Sequence, residues 1–124
     1  MTHRTTPTDP YYYHFLDVHL TLVFHHYGKP LELSDAMLAL ETASLQAWSM
    51  KPGKLVGTTP RSYKYGTSEF YIEPQARLTW KTYKIVTFGI MTVLQNILYR
   101  ETSVSILGNT YEGYLGRGYV HSIA

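Results

Sequence analysis

Leu78–Tyr99, LTWKTYKIVTFGIMTVLQNILY, is the longest segment of the chain with a regular hydrophobic period, and it decides the fold. At about 100° per residue, its main apolar side chains fall within one arc of roughly 160°, as a core-facing helix requires. Thr79 stands where an N-cap is needed. The pattern predicts the main core helix of the protein. The core positions are Trp80, Tyr83, Val86, Ile90, Met91, Val93, Leu94, Ile97 and Leu98.

Three further apolar residues, Ile85, Phe88 and Tyr99, lie on the polar side of this helix. Beside them is Gly89, a mid-helix glycine that costs about 1 kcal/mol relative to alanine. A second apolar stripe next to a small residue indicates a close contact, made by a second layer of the same chain or by another subunit. Single apolar residues are also exposed without any partner. We take Ile85, Phe88 and Tyr99 as the candidate interface of a homodimer.

Arg77, Lys81 and Lys84 crowd the start of the same helix. The helix dipole already places about half a positive charge there, so acidic residues would be expected instead. Free backbone N–H groups with two or three cations suit a phosphate or carboxylate. Solvated lysines that are partly balanced by Glu73 explain the same pattern. The three cations are therefore candidate residues for a small anionic ligand.

Composition limits the class of protein. The chain has 124 residues, of which 44% are hydrophobic and 16% charged, so we expect one globular domain over 11–124 after a disordered leader over 1–10. The absence of cysteine excludes disulfides, thiol catalysis and thiolate metal sites. There is no secretory signal and no apolar run long enough to span a membrane. We expect a soluble cytoplasmic protein with no membrane partner.

The other elements follow from shorter patterns. Alternation of apolar and polar residues over 16–24 predicts a first strand. A helix with Ser34 as N-cap follows, and Gly66-Thr67 suits a two-residue hairpin turn. Gly113, Gly116 and Gly118 in the last strand indicate a bulge or a close approach to another backbone or a ligand. The full set is a strand over 16–24, a helix over 34–49, a hairpin over 62–72, the core helix, and strands over 103–107 and 111–120.

This order predicts an α+β fold in which two helices pack on one face of an antiparallel sheet. The first five units match the ferredoxin-like βαββαβ arrangement, with one additional C-terminal strand. The sheet face that the helices leave uncovered is the leading candidate for a functional surface. It would serve as an interface, line a pocket, or simply be solvated.

An enzymatic alternative rests on Asp17 and His19, which would share that face, because a carboxylate can orient and charge an imidazole. Glu69 and Tyr71 of the hairpin would join them in a cofactor-independent isomerase or cyclase site. The histidines of the first strand lack the spacing of a chelating pair, so no metal is expected. No phosphate-binding or dinucleotide-binding glycine motif is present, and no cofactor is expected.

A third alternative is nucleic-acid binding, since Arg117 and Tyr119 stand together among glycines. A net charge of +2 is too small to imply a polyanionic partner by itself. The sequence does not decide whether the chain is an enzyme. The hypothesis that it favours is a small intracellular binding or interaction domain that self-associates.

Overall fold

A computed structural model describes residues 5–123, which fold as one six-stranded antiparallel sheet with two helices packed on one face. The strand order across the sheet is β1-β2-β5-β6-β4-β3. A short 3-10 turn, Leu16–Val18, joins the first two strands, and a π-helical turn, Leu94–Leu98, extends the second helix. The elements are β1 Tyr11–Phe15, β2 Leu20–His25, α1 Leu33–Trp48, β3 Arg61–Tyr65, β4 Ser68–Pro74, α2 Trp80–Val93, β5 Thr102–Leu107 and β6 Tyr114–Ser122.

The predicted core helix is α2 with its π-helical extension. Seven of the nine predicted core positions are buried, and Met91 and Ile97 are half-buried against the same cluster. Thr79 is the N-cap, as predicted, because its hydroxyl accepts a hydrogen bond from the Thr82 N–H at 3.3 Å. Within residues 5–123 neither helix is long and apolar enough to cross a membrane.

The predicted cap of α1 is wrong. The helix begins at Leu33 with Glu32 as its N-cap residue, and Ser34 lies inside the first turn. The Ser34 hydroxyl donates to the Glu32 carboxylate at 2.9 Å instead of accepting from a backbone N–H. Ser34 and Thr79 both resemble N-caps in the sequence, but only the Thr79 hydroxyl accepts a backbone N–H at the start of its helix.

This difference gives a stability prediction. Thr79→Ala removes the hydroxyl that accepts the Thr82 N–H, and we expect it to lower the free energy of unfolding by about 1 kcal/mol. Ser34→Ala is the matched control. It should change the free energy of unfolding by less than about 0.5 kcal/mol, because the Ser34 side chain is exposed and caps no backbone group. Urea denaturation of both variants measures the difference. Equal losses would contradict the assignment of the caps.

The first strand is not continuous. Residues 16–24 were predicted as one strand, but the 3-10 turn and His19, which has a left-handed backbone with φ of 51°, separate β1 from β2. Leu16 and Val18 continue the apolar–polar alternation of β2 in the sequence, but both side chains are exposed in the turn. The alternation therefore predicted a strand where the chain turns. The tyrosine-rich stretch before the turn forms the extra strand, β1, which pairs antiparallel with β2.

The α+β class is confirmed, whereas the ferredoxin-like strand order is not found. The C-terminal strand β6 lies between β5 and β4, and β2 lies on the other side of β5. Glycine explains how β6 fits this central position. A Cβ atom at Gly118 would overlap the carbonyl oxygen of Tyr71 on β4, and one at Gly116 would lie 2.8 Å from that of Glu73. The predicted close approach is thus confirmed, and it is to the backbone of β4.

Gly89 has an intramolecular explanation. A Cβ atom there would lie 2.7 Å from both the Phe15 ring and the Leu22 side chain, so the glycine lets α2 sit closely on β1 and β2. Of the two explanations offered for this small residue, a second layer of the same chain is the one found. Gly89 therefore supplies no argument for a second subunit.

Candidate functional site

An apolar groove of about 770 Å³ crosses the outer surface of the helix layer. Its floor is the exposed flank of α2, with Ile85, Phe88 and Met91. One wall is the turn between β1 and β2, and the other is the C-terminal end of α1, where Trp48 projects. The groove is thus formed between the two helices and the β1–β2 turn.

Large apolar side chains around this groove are unusually exposed. The exposed fraction is 80% for Leu16, 69% for Trp48 and 59% for Phe88, while Val18 and Leu45 are also exposed. We name these five residues the helix-layer patch. Four of them line the groove, and Leu45 lies one turn before Trp48 on α1. Together they expose roughly 600 Å² of apolar surface, at the upper limit for a monomer that has no partner.

The candidate interface residues separate in the structure. Ile85 and Phe88 lie together in the groove, as the stripe predicts. Tyr99 ends the π-helical turn with a left-handed backbone, its N–H donates to the Leu94 carbonyl, and its own carbonyl accepts from the Leu31 N–H. It is not among the residues that line the groove. The structure brings two of the three predicted residues to one surface.

The start of α2 does not offer free backbone donors to an anion. The N–H groups of Trp80 and Lys81 donate to carbonyl oxygens of the loop 49–60 at 3.0 and 2.9 Å, and the Thr82 N–H donates to the Thr79 hydroxyl. An anion at this position would have to displace those bonds. These bonds fasten the loop 49–60 to the start of the helix.

The three candidate cations also point to different partners. Arg77 donates to the Tyr111 carbonyl, with its guanidinium 4.5 Å from the centre of the Tyr111 ring. The Lys84 ammonium lies 3.8 Å from the centre of the Trp48 ring, at the edge of the groove, and Lys81 is exposed. The geometry therefore does not gather them around one ligand.

The opposite face of the sheet is uncovered and mostly polar. Its central feature is Glu69, which is only 9% exposed. One carboxylate oxygen lies 2.7 Å from Nε2 of His121, and the other accepts a hydrogen bond from the Ser62 hydroxyl. The side chains on this face are Tyr12, His14, Thr21, Val23, His25, Ser62, Lys64, Glu69, Tyr71, Glu73, Ser103, Ser105, Leu107, Arg117, Tyr119 and His121.

Hydrogen bonding fixes the charge of Glu69. The bond from Ser62, followed by the bond from His121, lowers the pKa of this carboxyl below its ordinary value against the opposing effect of burial. Glu69 is therefore a carboxylate at neutral pH. In the neutral tautomer with its hydrogen on Nε2, His121 donates to Glu69 and has its Nδ1 lone pair available to another molecule.

Aromatic rings surround this pair. Tyr71 and Tyr119 stack across β4 and β6 with ring centres 4.9 Å apart, and the Tyr119 ring meets His121 edge-on at 4.6 Å. Farther along the same two strands, the Arg117 guanidinium donates to Glu73 at 2.8 Å. That pair is electrically neutral, which leaves no concentrated positive charge on this part of the face.

The predicted Asp17–His19 pair is not on the sheet. Asp17 lies in the 3-10 turn and lines the helix-layer groove, while His19 lines a separate cavity at the start of β2. Glu69 and Tyr71 lie on β4, three strands from β2 and so roughly 14 Å away across the sheet. The four catalytic candidates are not brought together. Among residues 5–123, no three side chains of the types that ligate metals are grouped.

His25 and His26 contact each other, with their Nδ1 atoms 2.7 Å apart. Burial and the neighbouring His26 lower the pKa of His25, and its Nε2 lies 3.1 Å from the Ser105 hydroxyl. These contacts favour a neutral His25 in the folded protein.

Sequence reasoning missed His121, Trp48 and Leu16. His121 follows Arg117 and Tyr119 at a spacing of two, a signal that would have placed it on the uncovered face had the strand been extended to Ser122. Trp48 is the last residue of α1, where the core ends, so its apolar character does not predict burial. The exposure of Leu16 was not predictable, because this residue fits the apolar–polar alternation of the predicted strand.

The anionic state of Glu69 makes its contribution to stability depend on pH. Its pKa is lowered on folding, so that contribution is present above the ordinary carboxyl value of about 4.5 and disappears as the pH falls through the folded-state pKa. We expect wild type to exceed Glu69→Gln in unfolding free energy at pH 7, and the gap to shrink below about pH 4.5. Urea denaturation of both proteins between pH 7 and pH 3 measures it. A gap independent of pH would contradict the assignment.

Comparisons with models of protein families, with curated proteins and with solved structures give no match to this chain.

Proposed function

We propose that the protein is a small intracellular binding domain, cytoplasmic in location, that self-associates through the helix-layer patch. The observation that carries the proposal is the exposure of Leu16, Trp48 and Phe88 around one apolar groove. Burying a patch of this size against a second copy removes apolar surface from water, at about 25 cal/mol for each Å². Its area approaches the roughly 800 Å² that each partner contributes to a standard interface.

The chemistry of the patch favours a second copy over a charged partner. Its only cation is Lys84, whose ammonium already lies on the Trp48 ring, and Asp17 is the only carboxylate that lines the groove within the described residues. A two-fold axis over the groove would place the turn 16–18 of one copy beside Trp48 and Phe88 of the other. Each copy then supplies the same surface, as a symmetric dimer requires.

The experiment is to measure the molar mass of the wild-type chain by light scattering on a sizing column over a range of concentrations. A mass of twice 14.3 kDa that falls on dilution supports the proposal. A mass of 14.3 kDa at every concentration rules out self-association and leaves the groove as a site for another molecule.

The enzymatic alternative now rests on Glu69 and His121 instead of Asp17 and His19. A carboxylate that orients an imidazole is the usual arrangement of a general base. This alternative predicts an activity that His121→Ala abolishes without unfolding the protein. The nucleic-acid alternative loses support on the uncovered face, where Glu73 neutralises Arg117 at 2.8 Å. It predicts an affinity for oligonucleotides that falls steeply with salt.

A further inference from the structure

A polar cavity of about 330 Å³ opens on the uncovered sheet face, away from the helix-layer patch. It lies where the ends of β5 and β6 meet the segment that follows β2. The side chains that give it chemical character are His26, Glu101, Ser103, Tyr119 and His121. Hydrogen-bond acceptors dominate this set, since a carboxylate, two hydroxyls and the imidazole rings face one space.

The His121 ring is held in one orientation. Its Nε2 lies 2.7 Å from the Glu69 carboxylate, which is itself fixed by the Ser62 hydroxyl. In the neutral tautomer that carries its hydrogen on Nε2, the accepting nitrogen is Nδ1. The imidazole side chain is 36% exposed, whereas the carboxylate behind it is 11% exposed. A ligand therefore meets the imidazole, and the buried carboxylate strengthens the imidazole as an acceptor.

Glu101 is fixed in a similar way. Its two oxygens accept the backbone N–H groups of Lys29 at 3.0 Å and Ser122 at 2.8 Å. A carboxylate offers about four lone-pair positions, so two remain for a ligand. Among the described residues that line the cavity, Glu101 is the only one with an acidic side chain, and none is lysine or arginine.

The surroundings add negative potential. Burial, followed by the negative charge of Glu69, raises the pKa of the Tyr119 hydroxyl. Of the cations on this face, Arg117 donates to Glu73, and Lys64 lies on the edge strand β3 and does not line the cavity. The cavity is thus complementary to positive charge.

From this cluster we propose that the cavity binds a small molecule carrying a protonated primary amine. The ammonium group donates hydrogen bonds to Nδ1 of His121 and to the Glu101 carboxylate, and it lies against the Tyr119 ring. The aromatic face contributes through its quadrupole, as in other sites that bind cations. This site and the helix-layer patch are on opposite faces of the protein, so either proposal stands if the other fails.

The test uses ethylammonium chloride as the probe, titrated into isotope-labelled protein at constant ionic strength while the ring signals of His121 and Tyr119 are followed by NMR. We expect saturable shifts with a dissociation constant of about 1 mM, the limit for a ligand of three heavy atoms. Sodium propionate has a similar size and the opposite charge, and it should not produce saturable shifts.

Two variants locate the bound group, and one serves as the control. His121→Ala and Glu101→Gln should each weaken ethylammonium binding at least about 10-fold, followed at Tyr119. Glu41→Gln removes an exposed carboxylate from α1 and should leave the affinity unchanged. His121 is partly exposed, so its variant remains informative if Glu101→Gln fails to fold. Shifts that never saturate, equal binding of propionate, or full affinity in His121→Ala would each overturn the proposal.

Discussion

Phe88→Glu is expected to convert the proposed dimer into a folded monomer. Phe88 lies at the centre of the groove with 59% of its surface exposed, so the free monomer accommodates the carboxylate in water without loss of core packing. In the proposed dimer the same carboxylate would be buried between two apolar surfaces, and Lys84, the lysine that lines the groove, already lies on the Trp48 ring. We expect the dissociation constant to rise about 100-fold, equivalent to about 3 kcal/mol.

The measurement is light scattering together with the circular dichroism spectrum, which reports whether the fold is retained. Leu55→Glu is the matched control, since Leu55 is 54% exposed in the loop before β3 and does not line the groove. It should leave the mass of the dimer unchanged. A Phe88→Glu protein that remains fully dimeric would place the interface on another surface.

Gly118→Val is expected to lower the free energy of unfolding by about 3 kcal/mol. Gly118 lies in β6, which pairs with β4 on one side and β5 on the other. A Cβ atom would overlap the Tyr71 carbonyl oxygen and lie 3.3 Å from the Ile72 Cα, so backbone rather than a flexible side chain has to move. The hydrogen bonds that join the two halves of the sheet would lengthen.

Gly53→Val is the control for the change of residue type, because a Cβ atom at Gly53 meets nothing within 4 Å. Its effect should stay within about 0.5 kcal/mol. Urea denaturation compares the two variants. A Gly118→Val protein as stable as its control would mean that β6 does not approach β4 as closely as described.

The sequence identified the elements whose signals are local. The core helix was predictable because its apolar period repeats over four turns, and the hairpin because Gly66-Thr67 joins β3 to β4 as a two-residue turn, with a positive φ at Gly66. The order of the strands was not predictable, because the position of β6 depends on its contact with β4, more than 40 residues away.

The candidate catalytic residues were placed wrongly for related reasons. Asp17 and His19 were assigned to one face of a strand, and a single left-handed residue, His19 itself, removes both from the sheet. The Glu69–His121 pair joins residues 52 positions apart, and only the register of β4 against β6 places them opposite each other. Ile85 and Phe88 were found because they deviate from the helix period, which is a local signal.

The most direct test of self-association through the helix-layer patch is an isotope-filtered NOE experiment on a mixture of labelled and unlabelled chains, which detects only contacts between copies. We predict intermolecular NOEs from the Phe88 and Trp48 rings to the methyl groups of Leu16 and Val18. Intermolecular NOEs confined to Tyr71 and Tyr119 would place the interface on the uncovered sheet face and contradict the proposal.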